Sequence, residues 1–152
     1  MSTMRTEHKS FTYKTGVEWL RRKACTLQSS GKPSFRVASP PEFRGEPNVW
    51  TPEDLLVAAV ESCFLMTFAS LVERRHLAVE AYFSEAEGLL EWDDAGYRFT
   101  RVTIRPTVVV TDSRSVQPVM TALQDAKRDC LIARSLSGAV ELAPDVEISV
   151  TE

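Results

Sequence analysis

The stretch from Thr51 to Leu71, TPEDLLVAAVESCFLMTFASL, sets the tightest limit on what this chain can fold into. Its opening reads as a helix start. Thr51 stands at a capping position, Pro52 suits the first helical position, and Asp54 stands where a capping-box acid would. The pattern predicts a helix running to about Arg75, where Arg74 and Arg75 match the negative end of the helix dipole. Between those ends it is apolar on almost every side, with a thiol, Cys63, in its middle. Such a helix must be hidden in a large core or in lipid. Lipid is disfavoured, because Glu61 near the centre costs about 3 kcal/mol on insertion scales and Ser62, Thr67 and Ser70 lie beside it. No membrane association is expected.

A chain of 152 residues is the size of one ordinary domain, and a single domain over 1–152 is expected. One sheet in so small a domain covers only one side of the helix. Ala58, Ala59, Ser62, Ala69 and Ser70 are small enough to let a second backbone approach closely. The simplest way to enlarge the core is a second copy, so an obligate homodimer with the two long helices at its centre is predicted.

The remaining elements follow from periodicity and turn residues. Residues 9–28 read as a strand pair, Ser29 to Pro33 as a turn and Ser34 to Ser39 as a third strand. Pro40 to Trp50 reads as an irregular loop. Leu77 to Trp92 and Tyr97 to Val110 form a hairpin across Asp93 to Gly96. Val116, Val119, Met120 and Leu123 mark a helix from Ser115 to Cys130, with a short helix through Leu131 to Leu136 and a closing strand from Val140 to Val150. The fold class is α+β with mainly antiparallel sheet.

The net charge of −3 argues against a nucleic-acid partner. LRRK (Leu20 to Lys23) and ERR (Glu73 to Arg75) read as solvated basic clusters. The N-terminal MSTMRTEHKSFTYKT has no apolar stretch of signal-peptide length, and three cysteines make no disulfide framework, so the cytoplasm is the expected compartment.

Chemistry centres on the cysteines. Cys63 alone is compatible with an inert core residue. Cys130 follows a charged stretch, DAKRDC, at a junction of two helices, so the two thiols form either a redox pair or two unrelated cysteines. A cysteine hydrolase needs a histidine base. His76 lies 13 residues beyond Cys63, about 20 Å along a helix, and His8 belongs to a polar terminus. No zinc-ligand spacing and no glycine-rich phosphate loop occur, so neither metal nor cofactor is expected.

PPEFRG (Pro40 to Gly45), WTPEDLLVAAVESCFLMTF (Trp50 to Phe68) and DAKRDCLIARSL (Asp125 to Leu136), in that order before a final strand, resemble the OsmC-like proteins, which include the organic hydroperoxide resistance proteins. The resemblance covers about Thr12 to Val150. It implies an OsmC-like fold, with antiparallel sheets wrapped around central long helices in an intertwined homodimer. It also implies thiol-dependent reduction of organic hydroperoxides to alcohols in oxidative-stress defence, with an external thiol or dithiol as reductant. Cys63 falls on the peroxidatic position, Cys130 on the resolving position and Glu53 on the family's acidic position. The family's arginine falls on Arg22, with Arg44 as the alternative. The family usually has glycine where Arg44 stands and proline where Leu131 stands. Cys25 matches no motif.

Glu53 precedes Cys63 by ten residues, about 15 Å along one helix, and cannot reach it within a straight helix. The implied site therefore belongs at a dimer interface. Phe64, Met66 and Phe68 are candidates for an apolar peroxide-binding surface. The alternative to catalysis is a dimer binding a small hydrophobic ligand without using its thiols.

Overall fold

Residues 8–150 are described by a computed structural model, and the segment 1–7 of the polar N-terminus lies outside the described residues. The chain divides into two compact units, Met1–Pro52 and Glu53–Glu152.

The first unit is a three-stranded antiparallel sheet of β1 (Gly16–Arg21), β2 (Ala24–Gln28) and β3 (Phe35–Ala38). Regular pairing thus starts at Gly16 rather than at residue 9. Its register sets Val17 opposite Leu27 and Leu27 opposite Phe35, then Trp19 opposite Cys25 and Cys25 opposite Val37. Directly opposed residues share a face, so these six form one apolar face, while Glu18, Thr26 and Arg36 share the other. Val17 is 68% and Trp19 75% exposed, whereas Val37 is buried, so this apolar face is uncovered on its β1 side.

The proline-rich loop after β3 is ordered by backbone bonds around a short 3-10 turn, Pro41–Phe43. The Gly45 N–H donates to the Pro40 carbonyl and the Glu46 N–H to the Ser39 carbonyl, both at 3.0 Å. Arg36 then clamps Glu46 with two bonds of 2.9 and 2.6 Å.

The second unit begins along α1 (Pro52–Arg75), which ends as the sequence predicts. His76 adopts a left-handed conformation with φ of 52°. The Leu77 N–H reaches back to the Val72 carbonyl and the His76 N–H to that of Glu73, the double bond of a Schellman stop. The hairpin follows as β4 (Val79–Asp93) and β5 (Gly96–Val110). Asp93 closes its turn by accepting from the Ala95 and Gly96 N–H groups at 2.8 and 3.1 Å.

The hairpin carries two extra residues, Glu80 near its open end and one at its middle. Leu89 pairs with Arg101 and Leu90 with Phe99, so Thr100 bulges. The bulge shifts the alternation by one and lets Phe99 and Val102 share a face despite their odd spacing. Gly88 explains the fit, because a Cβ there would stand 2.7 Å from the Phe99 ring and 2.6 Å from Val57 of α1.

Helices α2 (Val116–Asp129) and α3 (Leu131–Arg134) then carry the chain back along the sheet. The closing segment is two strands rather than the single one expected, β6 (Ala139–Leu142) and β7 (Asp145–Ile148), and both run parallel to β5. A helical crossover returns the chain in the same direction, which favours parallel pairing. The break falls at Pro144, which has no N–H for the ladder, while the Ala143 N–H still bonds the Ile104 carbonyl at 2.9 Å.

The core of this unit joins Val60, Phe64, Phe68 and Leu71 of α1 to Val102, Ile104, Val108 and Val110 of β5 and to Val119, Ala122, Leu123 and Ala126 of α2. Phe64 and Phe68 therefore serve the core and are withdrawn from any ligand surface. Only one stripe of α1 is buried. Its other side exposes Ser62, Met66, Ala69, Ser70 and Glu73. The helix's polar groups are satisfied locally: Ser62, Thr67 and Ser70 donate to the carbonyls of Ala58, Cys63 and Met66, and Glu61 accepts from Ser84 of β4 at 2.6 Å. By length and composition α1 could cross a membrane.

Candidate functional site

Cys63 sits midway along α1, and Cys130 occupies the joint between α2 and α3, where its φ of −63° and ψ of 112° turn the chain out of the helix. Cys63 packs against the buried cluster that contains Cys130, close enough for each thiol to act on the other. They come from residues 67 apart in sequence, brought together by packing of α1 and α2 against one sheet.

Their surroundings differ. Cys130 is 1% exposed, whereas Cys63 is only half-buried and opens into a groove along α1. Met66, Leu71 and Leu131 give the groove apolar lining, and Glu73, Arg74 and Asp129 add charge to it. Leu131, which replaces the family's usual proline, is 64% exposed at this rim. Burial pushes the Cys130 thiol pKa up, backbone N–H groups of Ala133 and Ile132 pull the other way, and contact with Cys63 adds to the rise. Cys130 is therefore a protonated thiol at neutral pH.

Glu53 lies in the first turn of α1, and the continuous helix separates it from Cys63 by about 15 Å, as the spacing implied. One of its carboxylate oxygens, Oε2, is buried without a hydrogen-bond partner among the described residues. A buried carboxylate oxygen left so is costly, and a guanidinium is the donor that fits it best.

Arg22 and Arg44 belong to the first unit. Arg22 forms the turn between β1 and β2, and Arg44 follows the 3-10 turn. The sequence posed them as alternatives, yet both line one cavity together with Arg21 and Lys23. The LRRK cluster read as a solvated face thus forms part of a concave cationic surface. Only three-dimensional turn geometry reveals this, because residues 22 and 44 carry no linear signature linking them. Cys25 is a β2 residue of the apolar sheet face. Among the described residues no cluster of His, Cys, Asp and Glu could hold a metal ion.

Residues 45–145 match the OsmC-like protein family, and the chain belongs to it. It is 27% identical over 124 residues, covering 80% of this chain and 83% of the relative, to the uncharacterized protein YmaD of Bacillus subtilis. Solved structures share the fold. An OsmC-like protein of unknown function from Vibrio cholerae is 24% identical with a TM-score of 0.81, covering 89% of this chain and 99% of its own. An organic hydroperoxide resistance protein from Legionella pneumophila is 17% identical with a TM-score of 0.70, covering 94% and 100%. The organic hydroperoxide resistance protein OhrB of Bacillus subtilis is 17% identical with a TM-score of 0.60, covering 91% and 98%.

Proposed function

We propose that this protein is a thiol peroxidase that reduces organic hydroperoxides to alcohols in oxidative-stress defence, working as a single OsmC-like domain in the cytoplasm. The observation that carries this reading is the packing of a half-buried, groove-lining Cys63 against the cluster that encloses Cys130. The Cys63 thiolate attacks the distal peroxide oxygen, the O–O bond breaks, and the alkoxide takes a proton and leaves as the alcohol. Cys63 is left as a sulfenic acid. The Cys130 sulfur then attacks that sulfur, water leaves, and a Cys63–Cys130 disulfide forms. An external thiol or dithiol supplies the two electrons that restore both thiols.

The asymmetry of exposure supports the order of events. A substrate in the groove meets Cys63, and Cys130 can meet only Cys63. Thiolate formation needs a fixed cation, which the family resemblance assigns to Arg22, with Glu53 orienting the guanidinium. Met66, Leu71 and Leu131 favour an apolar peroxide body.

The same reading includes a homodimer. The exposed stripe of α1 and the uncovered apolar face of β1–β3 are surfaces that a second copy buries. Small residues along that stripe allow close approach of another helix.

Treating the reduced protein with one equivalent of cumene hydroperoxide and mapping the product by mass spectrometry tests the proposal. A rapid Cys63–Cys130 disulfide, absent in Cys63→Ser, is expected. Thiols unchanged in millimolar peroxide would overturn it and leave the groove as a binding site for a small hydrophobic ligand, a role that survives Cys63→Ser.

A further inference from the structure

We infer that the first unit carries a binding site for a small multivalent oxyanion of the phosphate type, formed where the β1–β2 turn meets the loop after the 3-10 turn. A cavity of about 320 Å³ opens there, lined by Arg21, Arg22, Lys23, Arg44, Gly45 and Glu46. Four cationic side chains thus converge on one concavity with a single carboxylate.

That carboxylate acts at longer range on Arg21 but is bonded elsewhere. Both Glu46 oxygens are engaged by Arg36, and the hydrogen bonding from Arg36 holds the Glu46 pKa below the usual carboxylate range. Among the described residues none of Arg21, Arg22 and Arg44 forms an ion pair. Lys23 donates its Nζ to the Phe43 carbonyl at 2.6 Å, which ties the two turns together while keeping its charge at the cavity.

Backbone conformation adds a second, independent observation. Arg22 and Arg44 both have positive φ, 46° and 61°. An arginine in the left-handed region costs about 1 kcal/mol that glycine avoids. Strain of this kind persists where the side chain has a use. Here two strained positions on two different loops both hold arginine and both face one cavity.

Guanidinium forks match carboxylates and phosphates equally well in shape, so charge decides between them. Crowded, unpaired cations repel one another, and an anion of higher valence relieves more of that repulsion than a monovalent carboxylate does. Inorganic phosphate, a diphosphate and a phosphomonoester share the required chemistry. Stabilising a thiolate asks for one guanidinium, so the remaining cations are not accounted for by peroxide chemistry, and this site stands whether or not the protein is a peroxidase.

Trp19 provides a local reporter, since its indole N–H donates to the Arg22 carbonyl at 2.8 Å. The full-length protein, labelled with nitrogen-15, is titrated at constant ionic strength with phosphate, pyrophosphate, glycerol phosphate and benzoate while the Trp19 indole resonance is followed. A saturable shift is expected for the phosphate-type anions, strongest for pyrophosphate and weakest for benzoate. Tighter binding of the ester than of phosphate would identify a phosphorylated metabolite as the occupant, and the reverse would identify the free ion. Arg21→Gln and Arg44→Gly each weaken binding by about tenfold, the second without strain on the fold. Arg114→Gln removes the same charge from the second unit and leaves binding unchanged. A shift that never saturates, equal loss in Arg114→Gln, or benzoate binding as tightly as phosphate would each overturn the inference.

Discussion

Cys63 and Cys130 belong to one packed cluster, in which the Cys63 thiol faces a groove and the Cys130 thiol is sealed in the core. Their roles are therefore not interchangeable. Cys63→Ser is expected to lower peroxide consumption by roughly a hundredfold or more, because the attacking atom is gone. Cys130→Ser keeps the first turnover and accumulates sulfenic acid at Cys63, detectable by dimedone adduct mass. Equal loss of the first turnover in both variants would contradict this division of roles.

The raised pKa of Cys130 fixes a pH dependence. Folding favours its neutral thiol, so that contribution to stability is complete below the unfolded thiol pKa and is lost as pH rises through the higher folded value. Urea midpoints of the reduced protein should fall above about pH 9, and Cys130→Ala should flatten that fall. The disulfide-forming step consumes a Cys130 thiolate, so its rate should rise with pH over the same range. Stopped-flow fluorescence at several pH values measures it.

Two neighbouring loop positions should respond oppositely to substitution. A Cβ on Gly45 would lie 1.4 Å from the Ser39 carbonyl oxygen, so Gly45→Ala must displace the loop, at about 2 kcal/mol or more. Arg44→Gly relieves a left-handed φ of 61° and should be neutral or stabilising by up to about 1 kcal/mol. Thermal denaturation of both variants separates these outcomes.

Gly88→Ala tests the hairpin bulge. The new methyl would sit 2.6 Å from Val57 and 2.7 Å from the Phe99 ring, and overpacking of this kind costs about 1–3 kcal/mol. Pairing it with Phe99→Leu should recover part of the loss, because the ring is one of the two obstacles.

The dimer reading predicts a concentration-independent species of twice the chain mass at micromolar concentration in sedimentation equilibrium. Met66, 65% exposed on the uncovered stripe of α1, is the residue to change. Met66→Glu places a charge there and should shift the protein towards monomer while leaving the α1–β5 core intact. A wild-type monomer would sink the reading.

The sequence alone determined the long helix and both its ends, the hairpin with its Asp93–Gly96 turn and the α2 helix. Each rests on local rules: proline and acid at a helix start, turn chemistry and apolar periodicity. Tertiary structure decided what those rules cannot reach. The parallel pairing of β6 and β7 depends on where the α2–α3 crossover delivers the chain. The common face of Phe99 and Val102 depends on one bulged residue. Which of the apolar α1 residues enter the core depends on the sheet beneath them, so Phe64 and Phe68 are buried while Met66 is exposed. The convergence of Arg22 with Arg44, and the contact of Cys63 with Cys130, join residues far apart in sequence. Local propensity carries no distance information across such separations, and only packing closes them.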